Sequence, residues 1–162
     1  MKYKVPDSTR IGHSHLKVAD LNKALTFYQD ILGFEITQWF GDSAVFLSAG
    51  GYHHHIGLNT WYSKGAGPAP RNTCGLFHTA ILFSTRKELA IALQQILKAN
   101  YPLTGASDHG VSEAIYLDDP DGNGVEIYWD KPRSKWPVDA AGNLMMVSDP
   151  LDLQDLLKET ER

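Results

Sequence analysis

The feature that most constrains this chain is an internal repeat. Shifting the sequence by 65 residues lays His13 on His78, Leu16 on Ile81, Val18 on Phe83, Asp20 on Thr85 and Ile31-Leu32 on Ile96-Leu97. The matched positions share roles: a first-strand histidine, its core-facing neighbours, a helix cap and a last helical turn. A run of matched roles at one offset is the signature of a duplicated supersecondary unit.

Each copy reads as a strand, a helix and three further strands. In the first, 11–18 alternates, with His13, His15 and Lys17 on one face and Ser14, Leu16 and Val18 on the other. Asp20 caps a helix whose apolar residues run from Leu21 to Leu32, and Gly33 ends it. Strands are expected over 34–40, 43–48 and 52–60, the last with His53, His55 and Gly57 on one face. In the second copy, strands over 76–83, 102–106, 112–117 and 124–129 surround a helix opened by a Thr85–Glu88 capping box. The fold expected is α+β: two tandem βαβββ modules forming one cleft. The first module spans 10–60, a Gly- and Pro-rich linker 61–74, and the second module 75–130. A C-terminal extension, 131–162, carries a strand at 144–147 and a short helix opened by Pro150. The whole is read as one domain over 1–162.

Composition excludes several partners. The formal net charge is -4 and no Lys/Arg run exceeds two residues, which argues against nucleic acid. No apolar run approaches the roughly 18 residues of a membrane span. Residues 1–6 lack the apolar centre of a signal peptide. Cys74 is the single cysteine and is read as a passive thiol, so a reducing cytoplasm is expected.

The stretch from His109 to Glu126 concentrates the chemistry. Asp119-Pro120-Asp121-Gly122 is a turn between two alternating runs, so Tyr116 and Glu126 lie on paired strands. A carboxylate among Val125, Ile127 and Trp129 is costly to bury unless it is paired or binds a metal. The repeat supplies partners, because His13 and His78 occupy equivalent places facing the cleft. Two imidazoles and one carboxylate on rigid strands form a facial triad that suits Fe(II), with Mn(II) also acceptable. Gly57 aligns with Glu126 and offers no side chain, which would leave the coordination sphere open. His55 is placed to carry protons. Tyr116 would hydrogen-bond a substrate oxygen, His109 would swing over the cleft, and His54 is read as a solvated strand end.

These residues resemble the vicinal oxygen chelate superfamily, which contains glyoxalase I, bleomycin-resistance proteins and fosfomycin-resistance enzymes. His109, Ile115-Tyr116, Asp119-Pro120, Gly122 and Glu126 follow the extradiol ring-cleavage dioxygenase signature, departing from it at Ser107. The run from Gly50 to Asn59 is similar to the catechol 2,3-dioxygenase branch. The resemblance covers about residues 10 to 135. It implies His13, His78 and Glu126 as iron ligands, His55 as acid–base catalyst, and Tyr116 and His109 as hydrogen bonders in the active site. Typical members of that branch carry four modules, whereas this chain shows two.

The function expected is an Fe(II)-dependent extradiol dioxygenase acting on a small aromatic diol with O2. Phe46, Tyr52, Trp61 and Tyr128 are candidate pocket walls. The alternatives are a glyoxalase-like isomerase or thiol transferase, and a non-catalytic drug-binding protein. A homodimer is expected, with 151–157 as a candidate contact.

Overall fold

The computed structural model describes residues 2–161. The first half contains strands β1 (Ser14–Lys17), β2 (Glu35–Phe40), β3 (Ala44–Ser48) and β4 (Ile56–Asn59). They form one sheet ordered β1-β4-β3-β2, with β1 parallel to β4 and the other pairs antiparallel. The second half contains β5 (Thr79–Phe83), β6 (Gly105–Asp108), β7 (Ser112–Asp118) and β8 (Gly124–Asp130). A late strand, β9 (Asp149–Pro150), joins this sheet, which is ordered β5-β8-β7-β6-β9. Helices α1 (Leu21–Leu25) and α2 (Arg86–Lys98) follow the first strand of each half, as the repeat requires. Both halves are thus βαβββ units, and the fold is the α+β architecture expected.

The offset of 65 holds in register. His15 pairs with Gly57, and Ala80, 65 residues after His15, pairs with Glu126. Among the described residues, three hydrogen bonds tie the halves together. The Ser14 hydroxyl lies 3.3 Å from that of Thr79, Ala19 N–H donates to Asp121 Oδ1 at 3.0 Å, and Tyr28 O–H donates to Asp119 Oδ2 at 3.0 Å. Asp119 is buried, and its remaining acceptor capacity is filled by the Asp121 and Asn123 N–H groups and the Asn123 amide.

The first helix departs from simple helical spacing. After α1 the chain continues as π-helical turns over Thr26–Ile31. The wider turn lets the adjacent Phe27 and Tyr28 both enter the core, their rings edge to face at 4.8 Å. Gly33, at φ 84°, then ends the helix.

Other expectations shift for local reasons. Pro102 has no N–H for a ladder, so β6 begins only at Gly105. Residues 144–147 do not form the expected strand. The chain there turns back around Asp139, whose carboxylate accepts from Ala141 and Asn143 N–H, and only Leu144 bridges to Val138. The pairing segment is β9, against Ser107 and Asp108. Pro150 is therefore part of a strand, and Asp152 rather than Pro150 caps α3 (Leu153–Leu157). That helix buries Leu156 and is held by Arg86, whose guanidinium contacts Glu113 at 2.7 Å, Asp155 at 3.0 Å and Glu159 at 3.1 Å.

Candidate metal centre and catalytic residues

Glu126 sits mid-strand in β8, between Ala80 on β5 and Tyr116 on β7. It is 9% exposed. Its partner is His78, which immediately precedes β5: His78 Nε2 lies 2.9 Å from Glu126 Oε2. Gly124 permits this approach, since a Cβ there would collide with the Phe77 carbonyl oxygen and stand 3.1 Å from His78 Cβ. His78 Nδ1 is buried with no hydrogen-bond partner.

Tyr116 and His109 extend the same constellation. His109 Nε2 lies 2.6 Å from the Tyr116 hydroxyl, and the Tyr116 and His78 rings are 6.0 Å apart. Burial, and then the nearby Glu126 charge, raise the Tyr116 pKa and keep the hydroxyl protonated. His109 is hydrogen-bonded on both ring nitrogens, to Tyr116 and to the Val147 carbonyl. In this structure those two bonds hold its ring against Tyr116 and Val147.

The first half presents a second group of rings. The His13 ring lies tilted against that of His54 at 4.4 Å, and His54 against Phe46 at 4.9 Å. His54 is therefore not a solvated strand end. β4 begins at Ile56, so the three histidines lie in an irregular approach where strand alternation does not apply. Burial, followed by the neighbouring histidines, lowers the His54 pKa. His15 lies 5.4 Å from Trp61 and 5.7 Å from Phe46, with its pKa lowered by burial and then by His13. Its ring covers Gly57, where a Cβ would stand 2.9 Å from His15 Cγ. The His15 ring thus takes up the space beside Gly57. No alternation signal could have shown this, because the contact depends on the β1–β4 register.

His55 accepts from the Ala49 N–H at Nδ1, 3.3 Å away, and the same nitrogen lies 3.1 Å from Ser48 Oγ. An N–H group can only donate, so the neutral ring carries its proton on Nε2. Tyr52 stacks beside it at 4.8 Å. His13 and His55 line a cleft of about 560 Å³ between the halves, together with Ile11, Leu32, Phe34 and Leu82.

The structure brings together four of the six residues singled out in the sequence: His78, Glu126, Tyr116 and His109. His13 stands across the seam, just before β1, since it precedes Ser14 as His78 precedes Thr79, and Ser14 meets Thr79. Its ring rests on His54, and among the described residues no three His, Cys, Asp or Glu side chains are gathered as a metal-binding group. The donor chemistry nevertheless fits a divalent ion. Two donors about 2.1 Å from one ion at a right angle are about 3 Å apart, close to the separation of His78 Nε2 and Glu126 Oε2.

Comparison with known proteins identifies the family. Residues 10–127 match the Glyoxalase/Bleomycin resistance protein/Dioxygenase superfamily. The chain belongs to this superfamily. Within it, the chain is 39% identical over 155 residues to a catechol-2,3-dioxygenase of Bacillus subtilis (strain 168), covering 96% of this chain and 53% of that protein. It is 30% identical over 124 residues to biphenyl-2,3-diol 1,2-dioxygenase 3 of Rhodococcus globerulus, covering 75% and 63%. A metallothiol transferase FosB of Staphylococcus epidermidis is 32% identical over 123 residues, covering 74% and 81%. The chain therefore spans about half the length of the superfamily's catechol-2,3-dioxygenase that it matches. Among solved structures, a glyoxalase/dioxygenase from Nostoc punctiforme superposes with a TM-score of 0.65 at 16% identity, covering 81% of this chain and 98% of that one. The superfamily fold is shared at that distance.

Proposed function

We propose that this protein is a metal-dependent extradiol dioxygenase that opens a catechol-type ring with O2. The observation that carries the reading is the second-sheet constellation, in which His78 and Glu126 meet at 2.9 Å beside the Tyr116–His109 pair. The 39% identity to a catechol-2,3-dioxygenase supports it. His13, His78 and Glu126 would hold the ion, with Fe(II) preferred and Mn(II) acceptable. When bound, the ion supplies the redox link between the diol and O2.

The other residues bind and move protons. His13 and His55 edge the cleft with its apolar walls, whose lining does not include His78, Glu126, Tyr116 or His109. His55, protonated on Nε2 because Ala49 occupies Nδ1, acts as a proton donor while the ring opens. Tyr116, held by His109, binds a substrate oxygen. Both atoms of O2 end in the product, and the ring bond beside the diol breaks to leave a carbonyl and a carboxylic acid. The protein is proposed to work in the cytoplasm as a homodimer. No helix among the described residues is long and apolar enough to cross a membrane.

The test is aerobic turnover of catechols by iron-loaded protein, followed by O2 uptake and a yellow ring-fission product. Iron uptake without product across a catechol panel would sink the dioxygenase reading. The match to a metallothiol transferase, covering 81% of that protein, favours thiol addition as the second reading. Metal-dependent consumption of a thiol with an electrophilic acceptor would select it.

A further inference from the structure

The C-terminal stretch returns across the second sheet and touches the site at His109. Val147 N–H donates to the His109 carbonyl at 3.1 Å, and the Val147 carbonyl lies 2.8 Å from His109 Nδ1. A carbonyl oxygen only accepts, so Nδ1 carries a proton. In the neutral ring Nε2 is then the bare acceptor, and the Tyr116 hydroxyl at 2.6 Å must donate to it. The bonds run in one direction, from Tyr116 through His109 to the backbone of Val147. With its proton committed to His109, the Tyr116 oxygen can offer only lone pairs to a ligand.

Several contacts hold the returning stretch in place. Asp149 and Pro150 pair with Asp108 and Ser107 as β9, and the Ser148 hydroxyl lies 3.3 Å from that of Ser107. Asp108 is itself anchored by Lys131 at 2.6 Å. Gly110, beside His109, lets the stretch lie close: its φ is 75°, and a Cβ there would stand 2.9 Å from Pro137 Cγ and 3.4 Å from Val147 Cγ2.

We propose that residues 137–150 form a positioning strap that fixes the tautomer of His109 and so makes the Tyr116 oxygen a hydrogen-bond acceptor towards a ligand hydroxyl. The strap touches no reacting atom and acts through His109. The inference rests on the proposed function only for the identity of the ligand, because the tautomer is a property of the metal-free protein.

The test is the side-chain nitrogen spectrum of ¹⁵N-labelled protein at a pH where His109 is neutral. The expected result is a protonated Nδ1 and a bare Nε2. The opposite tautomer in the wild-type protein would overturn the proposal outright. Tyr116→Phe separates the strap from the tyrosine: if the strap sets the tautomer, Nδ1 stays protonated, and a switch to Nε2 would refute it. Val147→Pro removes the N–H that fastens the strap and is expected to give a tautomer mixture, with the other histidine signals unchanged. An unaltered His109 signal in a folded Val147→Pro protein would also refute it. Loss of dioxygenase activity alone would leave all these spectra as they are, so the two readings fail separately.

Discussion

Ser14 Oγ and Thr79 Oγ1 lie 3.3 Å apart, and the two residues are equivalent positions of the repeat, 65 residues apart. The hydroxyls therefore mark the pseudo-twofold relation between the halves, at the strand starts that carry His13 and His78. Removing one hydroxyl leaves the other part-buried and unpaired. Ser14→Ala and Thr79→Val are each expected to destabilise the protein by about 1 kcal/mol. The double variant should lose less than the sum, with a coupling of roughly 0.5–1.5 kcal/mol by urea unfolding. Simple additivity would mean that the pair does not act as a joint.

The second tie between the halves predicts an alkaline weakness. Burial, then the Asp119 charge, raise the Tyr28 pKa well above its ordinary value, and Tyr101 is pushed up to about 12 by burial and then by Asp119 and Asp118. A group with a raised folded pKa gives stability that is complete below its unfolded value and lost above it. For Tyr101 the loss runs from about pH 10, the unfolded value, towards the folded value of about 12. Tyr28→Phe and Tyr101→Phe should each flatten the fall in melting temperature across this window. At neutral pH Tyr28→Phe should still cost about 1–3 kcal/mol, since it removes a bond from the buried Asp119 carboxylate.

The sequence carried the architecture because the repeat is written in residues that face the core or open strands. Leu16, Val18, Ile81 and Phe83 alternate on rigid strands, and the capping box at Thr85 forms as read. What stayed hidden depends on register or irregular backbone. His54 turns towards His13 because 53–55 is not strand, and Val147 reaches His109 across 38 residues. The π-helical turn at Thr26–Ile31 was likewise invisible, since apolar spacing reads as ordinary helix until both Phe27 and Tyr28 must be buried.

Gly57 offers a test of which reading of that position is right. Its missing side chain was expected to open a coordination position, but the His15 ring occupies the space. Gly57→Ala should therefore push His15 away from Phe46 and Trp61, at a cost of about 1–3 kcal/mol for an overpacked contact. The His15 ring signals should move in the proton NMR spectrum as their aromatic neighbours are lost. An unchanged His15 spectrum with full stability would show that Gly57 is not required for its packing.

The proposed metal triad is tested by uptake rather than by activity. Glu126→Gln, His78→Ala and His13→Ala should each weaken Fe(II) binding by roughly 100-fold or more, above the range for losing an outer partner of a ligand. His54→Ala, which removes the ring on which His13 rests, should change binding by less than about tenfold. Titration of metal into folded, chelator-treated variants, monitored by calorimetry, gives the comparison. If His13→Ala binds iron as tightly as the wild type while His54→Ala does not, the third ligand is not His13. The two imidazoles that touch across the first sheet would then have exchanged roles, and the symmetry between His13 and His78 would be structural only.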